Sequence, residues 1–125
     1  FLRARADQLL EAFAPHSIKY IWITFPDPYP KKRNAGRRLT HPTFLKIYKE
    51  LLREDGALYF KTDAKELFDW SLEQMVAEGW RIQRLSFDLH ESDLNENYKV
   101  MTTYERRFVS EGLKINFVKA LPPKN

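Results

Sequence analysis

Residues 18–38 read IKYIWITFPDPYPKKRNAGRR. With one exception, the first eight of these residues are branched or aromatic, and they predict a buried strand over 18–25. Asp27 follows between Pro26 and Pro28, and these prolines favour extended backbone and suppress helix formation. The stretch therefore predicts a strand that ends in a rigidly held carboxylate, although an ordinary Asx turn would have the same signature.

A cluster of cations follows this acid, and its members are Lys31, Lys32, Arg33, Arg37 and Arg38. The chain has 21 Lys and Arg, 17 Asp and Glu and a net charge of +4, so the cations outside the cluster are slightly outnumbered by the acids. The basic excess therefore lies in one loop, which indicates a local anion-binding surface. A solvated charged loop is the alternative. Cations nearby favour the ionised form of Asp27, which suits it to accept hydrogen bonds.

Composition excludes several classes of site. The chain has 125 residues and is 43% hydrophobic, which fits one domain with a real core. It has no cysteine, and its three histidines lack metal-ligand spacing, so neither a thiol nucleophile nor a metal site is expected. The sequence contains no long apolar run and no signal peptide, which predicts a cytoplasmic protein without a membrane segment. Because it begins at Phe1, we expect a piece of a longer protein.

Helical and strand patterns alternate along the rest of the chain. Helices are predicted over 7–13, from Thr40-His41-Pro42 until Gly56, from a capping box at Asp63 and Glu66 up to Gly79, and over 103–109. Further strands are predicted over 57–61, 81–89 and 113–118. This alternation predicts an α/β fold with a mostly parallel sheet and helices on its faces.

Ligands of such sheets bind beyond the carboxyl ends of the strands. Asp27 follows one predicted strand and Asp63 follows the next, so both are expected at the same edge, where 102–105 could join them. Each has an ordinary structural alternative, because Asp63 could simply cap a helix and Thr102 could do the same. The tryptophans at 22, 70 and 80 favour packing roles, whereas Tyr29 lies among the cations and is better placed for stacking.

Taken together, four segments resemble the bacterial tRNA (guanine-N7)-methyltransferase family. They are Phe25-Pro26-Asp27-Pro28-Tyr29-Pro30-Lys31-Lys32-Arg33, Arg37-Arg38-Leu39, Phe60-Lys61-Thr62-Asp63 and Thr102-Thr103-Tyr104-Glu105. The resemblance implies a Rossmann-like class I methyltransferase fold with an antiparallel final strand, of which residues 1–125 are the C-terminal part of a single domain. It implies methyl transfer from S-adenosylmethionine to N7 of a guanine in tRNA, the one in the variable loop, by a monomer or homodimer.

The resemblance also implies residue roles. Asp27 is implied as the active-site acid near the cofactor. The implied substrate contacts are Lys31, Asp63, Thr102, Thr103, Tyr104 and Glu105. The implied RNA contacts are Arg33, Asn34, Arg37 and Arg38. The glycine-rich cofactor loop of the family would lie upstream of Phe1, so the isolated fragment is expected to be inactive. Arg5 stands where the family often has an Asp or Asn that binds the adenine end, and Asp7 is the nearest substitute.

Two other functions fit the same residues. A methyltransferase acting on an exocyclic amine of RNA or DNA has an Asp-Pro-Pro-Tyr loop, which Asp27-Pro28-Tyr29 resembles without the second adjacent proline. A non-catalytic RNA-binding domain would need the basic loop alone. Mapping the methylated atom distinguishes the exocyclic-amine methyltransferase from a guanine-N7 methyltransferase. Titration with S-adenosylmethionine distinguishes the non-catalytic RNA-binding domain from both enzymes.

Overall fold

The computed structural model of the protein describes residues 13–26, 28–87, 89 and 114–123. In chain order, its elements are strand β1 (Ile18–Thr24), a 3₁₀ helix (Lys32–Arg37), helix α1 (Pro42–Leu51), strand β2 (Leu52–Thr62), helix α2 (Lys65–Ala77), strand β3 (Arg81–Ser86) and strand β4 (Asn116–Leu121). None of the helices in these ranges has the length and apolar character needed to cross a membrane.

The described strands form one sheet in the order β1-β2-β4-β3. Strand β1 pairs with β2 in parallel, and Thr24 lies opposite Lys61 at their carboxyl ends. Strand β4 lies between β2 and β3 and is antiparallel to both, so β3 runs in the same direction as β1 and β2. The prediction of an α/β fold with a mostly parallel sheet and an antiparallel final strand is confirmed.

One face of the sheet is packed against both helices. Helix α1 buries Leu45, Tyr48 and Leu51 at intervals of three residues, which is the spacing of one helix face. Helix α2 contributes Phe68, which is fully buried against Phe60 of β2 with ring centroids 5.9 Å apart. The main core therefore lies between the helices and β2, and it fixes the strand whose end carries Asp63.

The opposite face carries a row of aromatic side chains. Trp22 stacks on Tyr59 with ring centroids 4.3 Å apart and planes 10° apart, and Tyr59 in turn contacts Phe117. Trp22 and Tyr20 remain 44% and 53% exposed. The prediction that 18–25 is a buried strand is therefore wrong in its burial, because β1 is the edge strand of the described sheet and buries only Ile23.

Gly56 does not end a helix, as the sequence pattern predicted. Helix α1 ends at Leu51, and β2 begins at the next residue and contains Gly56. The pairing of β1 with β2 is irregular here. Ile18 lies opposite Leu52, and β2 then has three more residues than β1 before regular pairing resumes directly after Gly56. A Cβ at Gly56 would lie 2.8 Å from the carbonyl oxygen of Lys19. The glycine is thus required by the close approach of two backbones.

The boundaries of the last two strands also differ from the prediction. Strand β3 ends at Ser86, and Leu85 and Phe87 are 43% and 47% exposed, so only Leu89 of the three alternating residues is buried. Strand β4 begins at Asn116, three residues later than predicted. The helices predicted over 7–13 and 103–109 lie outside the described residues.

Candidate tRNA-binding and methyl-transfer site

The carboxyl ends of β1, β2 and the start of β4 form one rim. Directly after β1, the N–H of Phe25 donates to the carbonyl of Lys61 at 2.9 Å. On the other side of β2, the Asn116 side chain donates to the carbonyl of Thr62 at 3.1 Å. The predicted meeting of the two strand ends at one edge is therefore observed, and Asp63 lies on it. Asp27 itself is outside the described residues, as are Arg5, Asp7, Thr102, Thr103, Tyr104 and Glu105.

The chain turns sharply at two points beyond β1. Phe25 has a φ of 51° and Tyr29 a φ of 41°, which are left-handed conformations that bulky side chains rarely adopt. Such residues persist where surrounding contacts hold them. Constrained backbone therefore lies on both sides of Asp27, at Phe25 and at Tyr29.

The basic loop folds into the 3₁₀ helix. Its first turn is closed by the N–H of Asn34 donating to the carbonyl of Lys31 at 2.9 Å, and Asn34 is half-buried. The exposed cations of this segment are Lys31, Lys32, Arg33 and Arg37. None of these four is paired with an acid of the part of the chain that the structure describes. They form an unneutralised cationic surface beside the rim.

Arg38 behaves differently from the other cations of the loop. Its Nε donates to the carbonyls of Pro28 and Tyr29 at 3.1 and 3.2 Å, and its Nη2 donates to Tyr29 at 2.9 Å. Its Cζ lies 4.6 Å from the ring centroid of Trp70 on α2, a cation–π contact. The structure thus places Arg38, a predicted RNA contact, half-buried between the loop and α2.

Asp63 is not the cap of α2. The helix begins at Lys65, its N-cap position is Ala64, and the Thr62 hydroxyl accepts a hydrogen bond from the Ala64 N–H at 3.1 Å. The predicted capping box at Asp63 and Glu66 is therefore wrong, because the N-cap residue is Ala64, which has no side-chain cap, and the Thr62 hydroxyl closes a turn just before the helix. The half-buried Asp63 carboxylate makes no hydrogen bond to any described residue, which leaves it available for a ligand.

A cavity of about 280 Å³ lies between the loop after β1 and the first turn of α2. Its lining residues are Pro28, Pro30, Arg38, Ala64, Lys65, Glu66 and Leu67. A larger cavity of about 450 Å³ lies at the opposite edge of the sheet, beside His16 and Leu52. The smaller one is lined by Arg38 of the basic loop and by Ala64, the residue after Asp63, and is the one relevant to the site. No sequence pattern indicated that the Arg38 guanidinium donates to two successive carbonyls, or that Lys65 lines this cavity.

The described residues contain no group of three His, Cys, Asp or Glu side chains that could hold a metal ion. Lys61 on the rim is only 2% exposed, and its Nζ lies 5.6 Å from the ring centroid of Trp22. This buried lysine beside an aromatic ring was missed by sequence reasoning, since alternation in a short strand does not reveal which face is covered.

Comparison with known proteins identifies the family. A family model described as "Putative methyltransferase" matches residues 1–118. The chain belongs to this methyltransferase family. It is 46% identical over 120 residues to a Brevibacillus brevis protein named tRNA (guanine-N(7)-)-methyltransferase, and 44% identical over 124 residues to a Lachnoclostridium phytofermentans protein of the same name. These alignments cover 96% and 99% of this methyltransferase chain.

The same alignments cover 56% and 58% of the two relatives, so the chain spans somewhat more than half of their length. Among solved structures, a chain in "crystal structure of M1.HpyAVI-SAM complex" aligns with a TM-score of 0.49 and 11% identity, over 97% of this chain and 53% of that one. A TM-score below 0.5 does not establish a shared fold. The resemblance read from the four sequence segments is confirmed by the family match and the relatives' names.

Proposed function

We propose that this chain carries the tRNA-binding side and the active-site acid of a tRNA (guanine-N7)-methyltransferase that acts in the cytoplasm. The observation that carries the proposal is a cavity lined both by Arg38, at the end of the basic loop, and by Ala64, the residue after Asp63. The names of relatives at 44% and 46% identity support the same substrate and reaction.

The cations supply the affinity for tRNA. The exposed cations are Lys32, Arg33 and Arg37 on one short helix and Lys31 at its N-cap, where they can contact neighbouring phosphates. Each phosphate contact releases condensed counterions, so binding should weaken steeply with salt. Tyr29 is half-buried within this surface and is the proposed stacking partner for an unpaired base.

The two acids have different proposed tasks. Guanine N7 has an in-plane lone pair, so methylation requires alignment and stabilisation of positive charge, and no strong base. The Asp63 carboxylate would accept hydrogen bonds from the guanine N1 and N2 hydrogens and hold the base. Asp27, which lies between two prolines in the sequence, would stabilise the positive charge that arrives on the purine.

S-adenosylmethionine would supply the electrophilic methyl group. The proposed contacts to it are Asp27, Arg5 and Asp7, all outside the described residues. No described strand pairs with the outer edge of β1. The roles given above to the cations and to Asp63 involve the tRNA and not the cofactor.

The test is methyl transfer to a tRNA transcript by the full-length protein, meaning this chain with whatever its gene encodes upstream. Asp27→Ala should lower transfer by about 100-fold or more, as for loss of one charge-stabilising group, while tRNA affinity stays within about twofold. Asp69→Ala removes an exposed acid from α2 and serves as the matched control. Loss of binding and transfer together in a folded Asp27→Ala protein would contradict the catalytic role.

A further inference from the structure

The far end of the basic loop is fixed to the helices at three successive residues. The guanidinium of Arg38 stacks on Trp70, the hydroxyl of Tyr48 donates to the carbonyl of Leu39 at 2.8 Å, and the hydroxyl of Thr40 lies 2.6 Å from that of Ser71. These contacts come from both α1 and α2. Residues 38–40 are therefore held in place by both helices, and they anchor the C-terminal end of the loop.

Arg38 also connects these anchored residues to the N-terminal end of the loop. Its guanidinium reaches back ten and nine residues to the carbonyls of Pro28 and Tyr29, the first described residues after Asp27. Tyr29 has its left-handed φ of 41° at this point. A fork of charged donors on two successive carbonyls holds such a turn in one geometry.

We propose that Arg38 is a positioning residue, which clamps Pro28 and Tyr29 against Trp70 and so fixes the backbone next to the active-site acid in sequence. The expected effect of Arg38 on methylation rests on the proposed function. The contacts by which Arg38 holds the backbone do not depend on that function. The consequence is a division of labour within the loop: Arg37 contacts phosphate, and its neighbour Arg38 orders the backbone.

The chemistry of the side chain supports this assignment. A guanidinium is planar, so it can stack on the Trp70 ring while its edge donates in a fixed fork. Lysine carries the same charge without the plane or the fork. A phosphate contact would largely survive Arg38→Lys, but the clamp would not. The same exchange at Arg37, which is exposed, should have little effect.

The first measurement is limited trypsin digestion of the 125-residue chain, with cleavage after Lys31, Lys32 and Arg33 followed by mass spectrometry. Arg38→Gln and Arg38→Lys should both accelerate cleavage at these sites, by about tenfold, because cleavage requires local opening of the loop. Arg37→Gln and Arg37→Lys are matched controls and should leave the rate within about twofold. Equal rates for wild type and Arg38→Lys would overturn the clamp.

The second measurement is the salt dependence of tRNA binding, which a phosphate contact changes and a positioning contact does not. Arg37→Gln should reduce the slope of log K against log salt by about 0.7 to 0.9, the value for one phosphate contact. Arg38→Gln should leave the slope unchanged, and in the full-length protein both Arg38 variants should lower kcat more than they raise KM. A slope loss at Arg38 equal to that at Arg37, restored by Arg38→Lys, would overturn the inference. Absence of tRNA binding by the wild type would instead refute the proposed function, while the digestion still decides the clamp.

Discussion

The hydroxyl pair beneath the basic loop allows a quantitative test of how the loop is anchored. Thr40 and Ser71 are 1% and 0% exposed, and their oxygens are 2.6 Å apart. The Ser71 hydroxyl donates to the carbonyl of Leu67, also at 2.6 Å, so its one proton is used and Thr40 must be the donor to Ser71. The two residues therefore have unequal roles in a single chain of hydrogen bonds.

This asymmetry predicts unequal costs. Ser71→Ala leaves the buried Thr40 hydroxyl without an acceptor and should cost about 1 to 3 kcal/mol of unfolding free energy. Thr40→Val removes the donor while Ser71 keeps Leu67, and should cost only about 0.5 to 1 kcal/mol. Adding Thr40→Val to Ser71→Ala removes the orphaned hydroxyl, so the double variant should be more stable than Ser71→Ala alone.

Urea unfolding of the chain, analysed as a double-mutant cycle, measures the coupling directly. We expect a coupling of about 1 to 2 kcal/mol that exceeds the cost of Thr40→Val alone, so that the double variant has a higher free energy of unfolding than Ser71→Ala. Strictly additive effects of the two substitutions, or a double variant less stable than Ser71→Ala, would refute this account of the anchor.

Three other predictions concern the sheet, the rim and pH. Gly56→Ala places a Cβ 2.8 Å from the carbonyl of Lys19 and should cost about 1 to 3 kcal/mol by separating β1 from β2, measured by urea unfolding; a cost below 0.5 kcal/mol would contradict the close approach. Thr62→Val should cost about 1 kcal/mol because it removes the acceptor of the Ala64 N–H, whereas Asp63→Ala should change stability by less than about 0.5 kcal/mol and still abolish methylation; the reverse order in calorimetry would restore Asp63 as the cap. Burial raises the pKa of Tyr48 well above its usual value, so the unfolded chain loses this proton at a lower pH than the folded chain, and folding stability falls as pH rises above about 10. Tyr48→Phe should reduce this fall in the free energy of unfolding, measured by urea unfolding at about pH 9 to 11. The same pH dependence in Tyr48→Phe and wild type would contradict the prediction.

Much of the site's location was predictable from the sequence, because strand ends are marked chemically. A branched and aromatic run ending at Pro26 defined β1, and the helix entry at Thr40-His41-Pro42 defined the start of α1. Parallel pairing then required the segments after β1 and β2 to share an edge, and the Phe25–Lys61 hydrogen bond shows that they do.

The contacts that shape the site could not be predicted in the same way. Whether Asp63 or Ala64 is the N-cap residue of α2 depends on where the helix begins within one residue, which propensity does not resolve. Gly56 has the sequence signature of a helix stop, but its role depends on the approach of Lys19 from another strand. The Arg38–Trp70 stack joins residues 32 positions apart, and only the packing of α2 brings them together.

The position of the methyl group on the RNA decides whether the protein methylates guanine at N7. The full-length protein should be incubated with tRNA and S-adenosylmethionine carrying a labelled methyl group, and the product digested with nucleases and analysed by mass spectrometry. We predict label at N7 of a single guanine, lost in Asp27→Ala and retained in Asp69→Ala. Label on an exocyclic amine, or no label on an RNA that the protein nonetheless binds, would contradict the account.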